Sequence, residues 1–208
     1  MIVAIDSLPL SPWKNGGGLT REIAVGPAGA GIDDFDWRLT LADIEPGEFA
    51  FSRFPGIDRH TLVLGAGLSL APPGAPRSAL RAVAPLSTLH LDGEQALQAL
   101  LVGAPIQAFN LMLRRGRATG AVAAHTTATA LPSAATLLAV CCLQGQARVR
   151  TGATSTELAQ GTIVLLPAAA PGHAALEMQT GHGLVLTAAI DHIGAQPPGA
   201  LANPQHAP

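Results

Sequence analysis

Residues 61–70 read TLVLGAGLSL, two short apolar runs on either side of the turn Gly65-Ala66-Gly67. Residues 139–149 read AVCCLQGQARV and repeat this layout about 80 residues later. Glycine adopts backbone conformations that are closed to other residues, so each stretch predicts a strand, a tight turn and a second strand. One such unit is therefore expected in each half of the chain.

Short β-type runs separated by glycine and proline recur along the rest of the chain, and helical periodicity is scarce. Many short strands at regular spacing are typical of a sandwich or barrel of the jelly-roll kind. The strand–turn–strand unit in each half resembles the two-motif pattern of the cupin superfamily. For a chain of 208 residues, this resemblance implies an all-β bicupin, in which two jelly-roll, cupin-like barrels pack together.

The two halves are predicted at residues 1–117 and 118–193, because Ala and Thr replace the patterned residues beyond residue 117. Residues 194–208 carry four prolines and no strong apolar pattern, which predicts a disordered tail. Exposed jelly-roll edges often pair between chains, so a homodimer remains open.

Composition argues against nucleic-acid and membrane functions. The net charge is −2, and the basic cluster at residues 114–117 is too short for a nucleic-acid footprint. The long uncharged run at residues 118–147 is broken by polar residues, glycine and proline, so no membrane span is expected. Cys141 and Cys142 are adjacent and would point to opposite faces of a strand, so they offer no disulfide cross-link to stabilise the fold. Together with the lack of a signal-peptide pattern, this predicts a cytoplasmic protein.

Four segments carry a more specific resemblance, and they are WKNGGGLTREI at 13–23, FxWR with AxI within 35–44, FSRFPGIDR at 51–59 and FNLMxRRG at 109–116. Their order and spacing resemble the HutD/Ves family, a cupin-like family that some bacteria encode with histidine-degradation genes. The family usually has Asp before the Phe-Asn pair, where this chain has Ala108. The resemblance implies a bicupin with a small-molecule pocket and a role in histidine utilisation.

The cupin resemblance also identifies where metal ligands would stand. Metal-binding cupins place a His-x-His pair and a later Glu before the first turn, and these positions are Ser52, Phe54 and Arg59 here. None is a usual ligand, and an arginine repels a cation. We therefore expect no metal or other cofactor, and His173, at the last ligand position of the second half, is the residue that challenges this expectation. An arginine at a ligand position instead suits an anion.

The candidate ligand-binding residues are polar or charged and lie in the N-terminal half. They are Lys14, Asn15, Arg21, Glu22, Arg38, Ser52, Arg59, Asn110 and Arg114.

Each candidate has a second interpretation that the sequence leaves open. Lys14 and Asn15 precede a glycine loop that either approaches a ligand or simply forms a turn. Arg21 is spaced by two residues from Leu19 and Ile23 and by four from Val25, so it is expected on the same strand face as these apolar residues. There it either binds the carboxylate of a ligand in the barrel mouth or pairs with a buried acidic residue.

The sequence also leaves two interpretations open for the candidates on later strands. Arg38 stands on a face with small polar residues, and Asn110, Met112 and Arg114 share another face. Either set lines the pocket or points into solvent. Ser52 and Arg59 are expected to point inward because they occupy the positions of cupin ligands.

Several arginines and one lysine favour a small anionic metabolite such as urocanate or N-formimino-glutamate. The first hypothesis is a metabolite-binding protein with an accessory or regulatory role in histidine degradation. The alternative is a metal-independent isomerase or hydrolase that uses Lys14 or Glu22 as acid–base. A third hypothesis is an interaction module whose glycine loop is only a turn. No catalytic residue is assigned, because the sequence has no nucleophile elbow and no Cys beside an expected His.

Overall fold

The computed structural model describes residues 2–13, 17–132, 135–167 and 174–193. Among these residues the regular secondary structure is β-strand apart from two single-turn 3₁₀ helices, at Ile5–Ser7 and Arg77–Ala79. The all-β prediction is confirmed. The predicted tail, Lys14, Asn15 and His173 lie outside the described residues. No helix in the described ranges has the length and apolar character needed to cross a membrane.

The N-terminal half forms a barrel from two antiparallel sheets, with strand orders β2-β3-β4-β11-β6-β9 and β5-β10-β7-β8. Its strands are β2 (Leu10–Pro12), β3 (Gly18–Gly26), β4 (Trp37–Ile44), β5 (Gly47–Ala50), β6 (Ile57–Val63), β7 (Leu68–Ala71), β8 (Arg81–Ala82), β9 (Thr88–Asp92), β10 (Gln98–Leu101) and β11 (Ile106–Arg114). The 61–70 unit is confirmed as the end of β6, a turn and β7.

The C-terminal barrel has the strand orders β1-β17-β14-β19-β12 and β13-β18-β15-β16. Its strands are β1 (Ile2–Ala4), β12 (Ala118–His125), β13 (Thr129–Leu131), β14 (Leu137–Gln144), β15 (Gln146–Thr151), β16 (Thr154–Ala159), β17 (Thr162–Pro167), β18 (Ala174–Met178) and β19 (Leu184–His192). β1 begins the chain but belongs to this barrel, where Ile2 pairs with Val164. Residues 2–4 therefore pair outside the 1–117 half in which sequence patterning placed them.

The larger sheets of the two barrels pack face to face. The apolar layer between them includes Leu39, Leu41, Phe109 and Leu111 from the first barrel and Ala139, Cys141 and Leu186 from the second, each at most 1% exposed. Cys142, the next residue after Cys141, points into the interior of the C-terminal barrel instead. The two cysteines thus point to opposite faces, as predicted from strand geometry.

The interiors of the two barrels differ in character. The described interior of the C-terminal barrel is an apolar core, which includes Val140, Val149, Leu158, Leu176 and Val185. In the N-terminal barrel, a second apolar core fills only one end, where Ala108 lies between Ala42 and Val63 in register and is 1% exposed. Further along the same strands the inward face becomes polar.

A β-bulge in β3 changes which side chains reach that polar face. The register with β4 shifts between Glu22, which pairs with Thr40, and Ala24, which pairs with Leu39. Ile23 therefore packs into the layer between the barrels, whereas Val25 packs on the other face. The simple alternation predicted for residues 19–25 is wrong beyond Glu22, because an extra residue in one strand reverses the faces that follow it.

Candidate functional site

A cavity of about 500 Å³ occupies the polar end of the N-terminal barrel. Its floor is the inward face of β4, β11 and β6, and its walls come from the end of β2 and from the loops at residues 32–33 and 51–55. This size is in the range of sites that enclose a small metabolite.

The floor of the cavity carries a row of hydrogen-bonding side chains at matched register. Thr40 lies opposite Asn110, which lies opposite Thr61 on the next strand. The Thr61 hydroxyl donates to Asn110 Oδ1 at 2.7 Å, and Asn110 Nδ2 donates to the Ala108 carbonyl at 3.3 Å. These two bonds fix the amide, so that one N–H of Nδ2 and the Thr40 hydroxyl remain for a molecule in the cavity.

Arg59 is the most unusual charged group of the site. Its guanidinium lies 5.0 Å from the ring centre of Phe51 and 5.5 Å from that of Phe54, and Nη1 donates to the Ser52 carbonyl at 3.2 Å. Nε is buried without a hydrogen-bond partner, and Arg59 forms no ion pair with any described residue. Burial lowers the pKa of Arg59 to about 10, so the group stays charged at neutral pH.

The other two arginines of the floor have their donors engaged by protein. Arg38 Nε donates to Glu22 Oε2 at 2.6 Å, so its charge is neutralised beside the cavity. Arg114 donates to two main-chain carbonyls, those of Phe35 at 2.7 Å and Asp33 at 2.8 Å. Arg114 thereby holds the wall that contains residues 32–33. Neither Arg59 nor Arg114 forms an ion pair with a described residue, but Arg114 directs two donors to the wall, whereas Arg59 keeps a buried Nε without a partner at the cavity.

Aromatic side chains concentrate at this cavity. The chain has five phenylalanines and two tryptophans, and four of these seven line it: Trp13, Phe49, Phe51 and Phe54. Phe49 packs edge-on against Trp13 and stacks on Phe51, with ring centres 5.8 and 5.9 Å apart. The Trp13 indole N–H donates to the Thr20 hydroxyl at 2.6 Å. These rings add an apolar, aromatic surface to the lining of the cavity.

The sequence-predicted residues fall into three groups. Those that line the cavity are Arg38, Ser52, Arg59, Asn110 and Arg114. Glu22 reaches the cavity indirectly, as the partner of Arg38. Lys14 and Asn15 lie outside the described residues.

The structure does not bring Arg21 to the cavity. Arg21 pairs with Leu41 in register and lies on the face that packs toward the C-terminal sheet. There it forms an ion pair with Asp43, whose other carboxylate oxygen accepts from Gln107 at 2.7 Å. The alternative in which Arg21 pairs with an acid is therefore the one observed.

The cavity also contains the positions at which cupins hold metal. Ser52, Phe54 and Arg59 all line it, as the positional argument expected for Ser52 and Arg59. A hydroxyl, a phenyl ring and a guanidinium do not form a ligand set for a divalent cation. Across the described ranges no group of three His, Cys, Asp or Glu side chains is arranged to hold one. The residues present therefore do not fit the metal of other cupins.

Two barrels packed through their larger sheets, with a pocket in the N-terminal barrel, define a bicupin. A solved cupin shares the fold: the cupin 2 conserved barrel domain protein of Leptotrichia buccalis has a TM-score of 0.54 at 11% identity, covering 92% of this chain and 96% of that one. At such identity the likeness concerns the fold alone.

The chain belongs to the HutD family, whose model matches residues 6–186. The solved structure of HutD from Pseudomonas fluorescens SBW25 has a TM-score of 0.76 at 25% identity, covering 93% of this chain and 99% of that one. A conserved protein of unknown function from Pseudomonas aeruginosa PAO1 has a TM-score of 0.80 at 24% identity, covering 92% and 98%. The family resemblance read from the four segments is confirmed.

Curated relatives match over a shorter region. An uncharacterised 21.2 kDa protein in the hutC 3′ region of Pseudomonas putida is 42% identical over 112 residues, which are 53% of this chain and 56% of that protein. Protein Ves of Escherichia fergusonii is 37% identical over 113 residues, with the same coverage of 53% and 56%. The matches thus span about half the length of these relatives.

Proposed function

We propose that this protein binds a small metabolite through its carboxylate in the N-terminal cavity, with Arg59 as the anchor. The observation that carries the proposal is the partly buried Arg59 guanidinium, which faces the cavity without an ion pair to any described residue. A buried charge without a partner is costly, and a carboxylate removes that cost through a two-pronged hydrogen bond.

The remaining surfaces specify the rest of the ligand. The aromatic surface formed by Trp13, Phe49 and Phe51 suits an unsaturated stem, while the Asn110 amide and Thr40 hydroxyl suit a second polar group of the ligand. Urocanate combines a carboxylate, an unsaturated linker and an imidazole ring. N-formimino-glutamate offers carboxylates and a planar formimino group. Both match the chemistry of the cavity.

The proposed role is accessory or regulatory in histidine degradation. It is supported by family membership and by the relative in the hutC 3′ region of Pseudomonas putida. We prefer binding without turnover to the isomerase or hydrolase alternative on the ground of Glu22, which is not among the cavity-lining residues and accepts a hydrogen bond from Arg38. The other acid–base candidate, Lys14, lies outside the described residues. An acid–base group must instead reach the proton that it transfers.

Calorimetric titration of the purified full chain with urocanate and N-formimino-glutamate tests the proposal. Binding to at least one of them is expected, and the amide of urocanate, which lacks the negative charge, should bind far more weakly. NMR of the ligand after long incubation should show it unchanged. Absence of heat at millimolar concentrations of both acids, or equal binding of the amide, would refute the carboxylate anchor.

A further inference from the structure

Loop 51–56, which connects β5 to β6, determines how Arg59 is presented to the cavity. Residues 51–55 all line the cavity. The loop supplies the Ser52 carbonyl that accepts from Arg59 and the two phenyl rings that flank its guanidinium. Because these contacts orient the guanidinium, a displaced loop would misdirect the proposed anchor.

Hydrogen bonds to residues 93–94 fix the position of loop 51–56. The Phe54 N–H donates to the Gly93 carbonyl at 2.8 Å, and the Gly56 N–H donates to Glu94 Oε1 at 2.6 Å. Arg53 Nε donates to the Glu94 carbonyl at 3.1 Å. A Cβ at position 93 would lie 2.1 Å from the Phe54 carbonyl oxygen, so this close approach requires glycine.

Glu94 is in turn fixed by Arg115, in the hairpin between β11 and β12. The two groups form a two-pronged pair, with Nη1 2.9 Å from Oε1 and Nη2 2.7 Å from Oε2. Arg115 also donates to Asp58 at 2.6 Å, and its main-chain N–H donates to the Gly56 carbonyl at 3.0 Å. Hydrogen bonds from Arg115 and Gly56 lower the pKa of Glu94 to about 2, so its carboxylate is ionised throughout the physiological range.

We infer that Glu94 is a positioning residue of the cavity, which locks loop 51–56 and through it the guanidinium of Arg59 without contacting the ligand. Glu94 is not among the cavity-lining residues, yet its carboxylate joins the loop to the Arg115 hairpin. The consequence for ligand binding rests on the proposed function, whereas the locking of the loop can be tested without any ligand.

Limited trypsin digestion of the full chain tests the lock, because the exposed Arg53 gives a cleavage site inside the loop. The matched control is Asp58→Asn, since Asp58 also pairs with Arg115 but makes no hydrogen bond to the loop. Exposed Arg81, remote from the loop in β8, reports general loosening. Site-resolved mass spectrometry measures the initial cleavage rate at each arginine.

Glu94→Ala should raise the cleavage rate at Arg53 by about tenfold. The change removes the charged acceptor of the Gly56 N–H, so that loop 51–56 opens more often and exposes its backbone to trypsin. Glu94→Gln, which keeps an acceptor for the Gly56 N–H, should raise it less. Asp58→Asn should leave Arg53 protected, and cleavage at Arg81 should not change in any variant. Unchanged cleavage at Arg53 in Glu94→Ala, or an equal rise at Arg53 and Arg81 in both Glu94 variants, would overturn the inference.

The ligand measurement is separate. If the wild type binds urocanate, Glu94→Ala should weaken binding by about tenfold, whereas Asp58→Asn should leave the affinity within about twofold. Equal weakening in the two variants would overturn the positioning role. If the wild type binds no carboxylate at all, the proposed function fails, and the trypsin rates still decide whether Glu94 locks the loop.

Discussion

Replacing Arg59 by methionine should stabilise the ligand-free protein while abolishing carboxylate binding. Burial depresses the pKa of Arg59 to about 10, and at 1.36 kcal/mol per pKa unit the depression sets an upper limit of about 3 kcal/mol on the cost of keeping the charge there. Because water in the open cavity screens part of this cost, about 2 kcal/mol is the more realistic value.

Other contacts reduce the gain. The change removes one hydrogen bond to the Ser52 carbonyl, worth about 1 kcal/mol. It also removes the two contacts of the guanidinium with Phe51 and Phe54, each worth about 0.5 kcal/mol. A methionine sulfur makes similar contacts with aromatic rings, so most of this loss is recovered. The net stabilisation is therefore about 1 kcal/mol, which raises the Tm of a chain of this size by about 2–4 °C.

The pH dependence of this gain has a defined sign. The folded-state pKa of Arg59 lies below its unfolded value, so folding penalises the charged form. The penalty is fully present below pH 10 and disappears only as the pH rises beyond it. The gain from Arg59→Met should therefore be the same at every pH between about 6 and 9.

Scanning calorimetry with and without urocanate measures both effects. Arg81→Met is the matched control, because Arg81 is exposed and donates only to the nearby Ser78 and Leu80 carbonyls. That variant should retain the wild-type Tm and ligand response. A lower Tm for ligand-free Arg59→Met, or a persistent shift with urocanate, would refute the reasoning that Arg59 is an uncompensated anchor.

Three further predictions concern other parts of the barrels. Glu22→Gln should tighten carboxylate binding by about threefold in calorimetry, because Arg38 loses the charge that neutralises it; unchanged affinity would show that Arg38 does not act on the ligand. Ala108→Asp should lower the free energy of unfolding by about 2–4 kcal/mol in urea titrations, because residue 108 is 1% exposed in an apolar core; wild-type stability would contradict this. Cys141 should resist alkylation by iodoacetamide in the folded protein at pH 8, because burial raises the pKa of its thiol to about 12. It should react once the protein is denatured, and rapid alkylation before unfolding would contradict its burial.

Much of the architecture follows from local sequence patterns. Alternating apolar residues and glycine turns predict strands, and the unit at residues 61–70 recurs at residues 139–149. The resemblance of this unit to the cupin pattern implies one barrel in each half and an inward placement of Ser52 and Arg59. These features are readable because they depend on residues within a few positions of one another.

Partnerships between distant segments were decided only by the tertiary structure. Arg21 and Arg38 look alike in sequence, yet Arg21 meets Asp43 on one face of the sheet, while Arg38 meets Glu22 beside the cavity. The pairing of β1 with β17 adds the first strand to the C-terminal barrel, about 160 residues along the chain. Phe49 was not a candidate in the sequence, because a lone apolar ring suits a core or a pocket wall equally, and in the structure it belongs to both.

Sequence alone thus determined the all-β class and, through resemblance, the two-barrel plan and the family, because these depend on local patterns and spacing. It did not predict β12 (Ala118–His125), since the Ala- and Thr-rich stretch beyond residue 117 lacks a clear apolar alternation. The tertiary structure decided which charges are compensated: Arg38 and Arg115 form ion pairs with acids, while Arg59 and Arg114 have no ionic partner among the described residues. Of these last two, only Arg59 keeps a buried Nε without a hydrogen bond. Charge compensation requires groups far apart in the chain to meet within a few ångströms. The sequence therefore named Arg59 as a candidate, but only the tertiary structure shows that no acid among the described residues pairs with it.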